Sequence, residues 1–163
     1  MMQANGEHQN NNDLMDIEAN PDNVLEYMKA FTSAQATRTE IYHEFECAIN
    51  DHANGIISIE EIQQVIRISQ EGFQDVSSDI VRQERLLNLI GQTNLSNIIR
   101  QVQNLEKEKL EVTVKLLSNR LQAAGRPEIS YQAEIEEFTT RRQQLIEAIN
   151  EAMEEARAEM LEL

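Results

Sequence analysis

Cysteine is almost missing from this 163-residue chain. With Cys47 alone no internal disulfide can form, which excludes a small secreted fold stapled by disulfides. Prolines number two and glycines five, too few for a chain built on hairpins. Tryptophan is absent and aromatics make up 4%, so any core must be aliphatic. No apolar run approaches the ~20 residues that cross a bilayer as a helix. The opening stretch MMQANGEHQNNN has no apolar segment of the kind a secretory signal carries. These absences lead us to expect a soluble intracellular protein, in the nucleus, the cytoplasm or both.

Positive charge is scarce as well. Fourteen Lys and Arg face 29 Asp and Glu, for a net charge of -15. Such a chain repels phosphate backbones, because nucleic-acid affinity comes largely from displaced counterions. Only residues 92–124 run the other way, with five bases against three acids. A direct DNA contact would have to use that segment, at Arg100, Lys107, Lys115 and Arg120. Its small surplus is thin for the task, so direct nucleic-acid binding is not expected.

What the chain does have is helical periodicity. Residues 1–19 are polar and Asn-rich, with Leu14, Met15 and Ile17 as a short apolar island, and are expected to be disordered. Asn20-Pro21-Asp22 then signals a helix start. From there Met28, Phe31, Gln35, Arg38, Tyr42, Phe45 and Ile49 recur in steps of three and four, which keeps them on one stripe. Ala53-Asn54-Gly55 ends that helix. Ser58 and Glu61 form a capping box for a second helix, whose stripe passes through Ile59, Ile62, Ile66, Ser69, Phe73, Val76, Ile80, Gln83, Leu87 and Ile90 before Gly91 stops it. Gly72 weakens this helix by ~1 kcal/mol relative to alanine unless a close helix crossing calls for it.

The stretch LEKEKLEVTVKL, residues 105–116, combines strand-forming Val112-Thr113-Val114 with helix-forming flanks. Its period settles the conflict. Leu95, Ile98, Val102, Leu105, Lys109, Val112 and Leu116 form a third stripe, whereas strict alternation fails on both sides. Gly125-Arg126-Pro127 breaks this helix. A fourth stripe follows at Tyr131, Ile135, Phe138, Arg142, Leu145, Ile149, Ala152 and Ala156.

The expected fold is therefore all-α: an elongated antiparallel bundle of four long helices with coiled-coil-like packing, near 21–53, 59–90, 94–124 and 128–161. The main rival is two long hairpins that complete their core only in a homodimer or against a partner. Polar seam positions (Gln35, Arg38, Ser69, Gln83, Lys109, Asn119 and Arg142) are expected to set register or to snorkel to water.

Candidate chemistry is sparse. His43, Cys47 and Asp51 share one helical face, but a structural zinc site wants four ligands and no second cysteine exists. A solvated flank with a semi-buried thiol is the simpler expectation. Neighbouring carboxylates such as Glu136 and Glu137 point about 100° apart and do not face each other. The glycines are isolated, so no phosphate-cradling loop is present. No catalytic, cofactor or metal-binding residues are expected.

Two stretches carry a resemblance. RTEIYHEFECAI, residues 38–49, resembles the first helix of the Required-for-Excision type B family, and EKEKLEVTVKLL, residues 106–117, resembles its later segment. The matching positions are Arg38, Tyr42, Phe45, Glu108, Lys109, Leu110, Thr113 and Leu116. The resemblance covers roughly residues 25–155. It implies an all-helical, non-enzymatic protein linked to excision repair of damaged DNA, with no catalytic residue to carry over. Combined with the acidity, it leads us to expect an accessory role through helix-face contacts with other proteins. The alternative is a bundle subunit of a larger assembly unrelated to repair.

Overall fold

The computed structural model describes residues 19–163. A 3-10 turn at Pro21–Asn23 leads into α1 (Val24–Ala53), followed by α2 (Ile59–Leu89), α3 (Thr93–Gly125) and α4 (Gln132–Leu161). The chain is an all-α bundle, and Val112-Thr113-Val114 lies within α3. The tail expected at residues 1–19 falls, but for its last residue, outside the described residues. Among the described residues no helix is long and apolar enough to cross a membrane.

Local chemistry places most of the ends. The Asn20 side chain accepts the Asp22 N–H at 2.9 Å, which tightens the first turn into 3-10 form. At the start of α2 the capping box is complete: Glu61 N–H donates to Ser58 Oγ (3.1 Å) and Ser58 N–H to Glu61 Oε2 (3.0 Å). Gly55 (φ 71°) and Gly91 (φ 79°) take left-handed conformations. They let the Ile56 N–H reach back to Asp51 O (2.8 Å) and the Gln92 N–H to Leu87 O (2.9 Å), which satisfies terminal carbonyls. Helix α4 starts four residues later than the expected 128. After Pro127 the Ile129 N–H turns back to Arg126 O (3.1 Å), and Tyr131 supplies no side-chain cap, so helix begins only at Gln132.

α1 packs along α2 and α3 along α4, forming two antiparallel hairpins. The hairpins join through α2 and α3, and α1 and α3 also touch across a short diagonal. α2 and α4 stay apart. One end of the bundle is closed by all four helices, around Met28, Phe31, Ile80, Leu87, Ile99 and Ile149. At the other end a smaller apolar cluster gathers Phe45, Ala48, Ile49, Ile62 and Leu117, from α1, α2 and α3 alone. The buried residues of α4 begin at Leu145, while its earlier stripe positions Tyr131, Ile135 and Phe138 are only half-buried. At Arg142 a guanidinium bridges from α4 to Glu46 of α1, and α4 residues before it do not join the core.

Gly72 marks the close crossing of α2 on α1. A Cβ built there would lie 3.0 Å from Ile41 Cδ1, the flexible end of a side chain. Gly72→Ala should therefore be near neutral, since the ~1 kcal/mol gain in helix propensity is offset by the displaced methyl. In an Ile41→Val background, which removes that methyl, the same change should stabilise by about 1 kcal/mol. Urea denaturation of wild type and the three variants measures the difference; the same effect in both backgrounds would show that Ile41 does not limit the site.

Candidate functional site

Between the two apolar clusters lies a polar layer, built where α1 and α3 meet. From α1 it takes Gln35, Arg38 and Tyr42, one stripe spaced by three and four. From α3 it takes Glu106, Lys109 and Thr113, all buried. Gln35 Nε2 donates to Glu106 Oε1 at 2.7 Å, and Arg38 Nη1 donates to Gln35 Oε1 at 3.2 Å. The second Arg38 amine donates to Gln103 Oε1. Lys109 Nζ lies 3.6 Å from Glu106 Oε2, an ion pair too long to be a hydrogen bond, and that oxygen has no hydrogen-bond partner. The same ammonium sits 4.0 Å from the centre of the Tyr42 ring, in cation–π contact. Phe73 of α2 backs the ring from 4.7 Å. Arg142 closes the layer from α4, donating to Thr113 Oγ1 (3.1 Å) and pairing with Glu46.

Burial governs the electrostatics of this layer. Desolvation lowers the pKa of Arg38 and of Lys109, and Glu106 pulls both back up. The Tyr42 hydroxyl is pushed well above its ordinary range, first by burial and then by the Glu106 charge. Of the two roles expected of Arg38 and Lys109, setting register or snorkelling to water, snorkelling does not occur: they are 3% and 7% exposed. They stay inside because Glu106, Gln103, Gln35 and the Tyr42 ring supply the partners that water would have given. Sliding α3 by a turn would carry the Glu106–Lys109 pair along intact but take Glu106 from Gln35 and Gln103 from Arg38, so the layer favours one register.

The resemblance positions fall in and around this layer. Arg38, Tyr42, Lys109 and Thr113 belong to it, and Phe45 and Leu116 are buried beyond it. Leu110 faces a groove described below. Glu108 lies apart, paired with Arg141 of α4 at 2.5 Å. The sequence reading missed Glu106. Its signal was a second stripe at Ile99, Glu106 and Thr113, spaced by seven and one position off the main seam, because α3 packs on more than one neighbour.

Next to the layer, α2 and α3 splay apart over α1. The opening is an apolar groove of about 1000 Å³ lined by Phe45, Ile49, Ile66, Phe73, Leu110 and Leu117. The remaining lining side chains are serine, glutamine, Val114 and Leu121, with no ionisable group among them.

The four proposed DNA contacts do not form one surface. Arg100 is committed to Glu84, donating from Nε at 2.8 Å and Nη2 at 2.7 Å. Lys107 and Lys115 are exposed, with the Lys115 ammonium 6.0 Å from the Phe138 ring. Arg120 is also exposed, but at 100° per residue it lies on the opposite side of α3 from Arg100 and Lys107. His43 Nε2 and Cys47 Sγ approach to 3.7 Å, and Cys47 is exposed rather than semi-buried. Among the described residues no three metal-binding side chains converge.

Fold and site thus define a helical bundle with an ionic layer at its centre and an open groove beside it. This chain belongs to the DNA repair REX1-B family, whose sequence model matches residues 26–120, from the start of α1 to near the end of α3. It is also similar to the heterochromatin silencing protein rss1 of Schizosaccharomyces pombe, with 29% identity over 127 residues, covering 78% of this chain and 92% of that protein. No solved structure matches it.

Proposed function

We propose that this protein is a non-enzymatic accessory factor in excision repair of damaged DNA, acting through contacts between its helix faces and other proteins. The observation that carries this reading is the family match over residues 26–120. Two physical features support it. A chain of net charge -15 is a poor grip for a phosphate backbone, so a protein-mediated role fits better than holding the lesion itself. The polar side chains of the central layer are turned to one another, a use that suits a scaffold better than a reaction centre. Cells lacking the protein should be sensitive to ultraviolet light and slow to remove lesions. Normal survival with unchanged lesion removal would sink the repair reading.

A second reading is a bundle subunit of a chromatin assembly unrelated to repair. The relative named for heterochromatin silencing favours it. Loss of silencing at a reporter, with lesion removal intact, is the result it expects. Both readings place the protein in the nucleus.

A further inference from the structure

The open groove between α2 and α3 is not uniform along its length. Toward Leu117 and Leu121 it is aliphatic. Toward Phe73 and Leu110 it runs into a smaller polar hollow that also takes in Arg38, Arg100, Gln103 and Lys107. Phe73, Ser77 and Leu110 line both, so the two are one continuous trough. In a protein with twice as many acids as bases, its polar end is lined by three cations, Arg38, Arg100 and Lys107, against one acid, Glu106. Of these, Arg100 is held by Glu84 and Arg38 by Gln35 and Gln103. Lys107 is exposed and has no ion-pair partner among the described residues.

The dimensions suit a helix. From Lys107 to Leu121 the α3 wall is about 21 Å long, the length of roughly four helical turns. The exposed rim residues Gln70, Gln74, Ser78 and Ser118 can bond polar groups flanking an apolar stripe without repelling either charge. The chain's own apolar island cannot fill the trough from the same molecule. Leu14 lies six residues before Asn20 and reaches at most ~20 Å from it, whereas Phe45 is about 32 Å along α1 from Val24.

We propose that this trough docks an amphipathic helix of another protein, with aliphatic side chains at i, i+3, i+4 and i+7 and a carboxylate near one end that pairs with Lys107. The inference rests on the reading of the protein as one that works through helix-face contacts, and it names the face. A fluorescein-labelled synthetic helix of four turns carrying that pattern is the probe, with fluorescence anisotropy on the full chain as the readout. Val114 is 50% exposed on the groove wall and Lys107 is exposed, so Val114→Glu and Lys107→Glu should fold normally by circular dichroism and urea titration. Each should weaken binding at least tenfold, and a peptide with lysine in place of its terminal glutamate should regain affinity for Lys107→Glu. Equal binding by wild type and both variants would overturn the proposal. So would a concentration-dependent dimer that Val114→Glu dissolves, since the groove would then belong to a second copy. Ultraviolet sensitivity of cells lacking the protein decides the repair reading separately, whatever the peptide does.

Discussion

Replacing Glu106 with alanine should lower the unfolding free energy by about 3–5 kcal/mol, the usual cost of stranding a buried charge. Glu106 is the carboxylate that faces both Arg38 and Lys109 and accepts from Gln35. Its loss leaves Arg38 desolvated without its carboxylate and Lys109 with only Glu46, which is already paired with Arg142. The deficit arises from the stranded partners rather than from the strength of the pair. Accordingly, Glu106→Leu combined with Lys109→Met should recover at least half of it, because well-packed apolar residues often replace a buried pair at little cost. Urea denaturation of the single and double variants gives both numbers. A single-mutant loss below ~1 kcal/mol would mean that water reaches the layer and screens it as it does a surface pair.

Phe31→Ala should be comparably severe, at about 3–5 kcal/mol, since the ring is fully buried in the closed end and its removal leaves a cavity. Phe138→Ala should cost no more than ~1 kcal/mol, although Phe138 sits at an equivalent stripe position of α4, because its ring is only half-buried. The contrast tests whether stability resides in the four-helix end. Equal losses from the two substitutions would show that the first half of α4 is packed as tightly as the second.

Much of α1 was legible in the sequence. Met28, Phe31, Gln35, Arg38, Tyr42, Phe45 and Ile49, read from a three-four rhythm, are all buried. α4 was legible only in part. Its stripe continues without a break through Ile135 and Phe138, yet burial starts at Leu145. Nothing local separates the two halves. The difference comes from which helices lie opposite, and at this end no α1 or α2 side chain joins α4 in a core. The ionic layer was half visible: Gln35, Arg38, Lys109 and Arg142 stood out as polar seam positions, but their partners did not. Gln35 and Glu106 are 71 residues apart, and no periodicity within either helix reports a contact across that distance.

The sequence by itself determined the four helices, most of their ends and, outside the first half of α4, the face each turns inward, because 3.6 residues per turn, caps and breakers are properties of neighbouring residues. Only the tertiary structure decided that Arg38 and Lys109 stay dry beside Glu106, that α4 closes one end and leaves the other open, and that α2 and α3 part to form a groove. Those outcomes depend on how rods far apart in the chain cross and separate, which is set by the sum of their packing surfaces rather than by any one stretch.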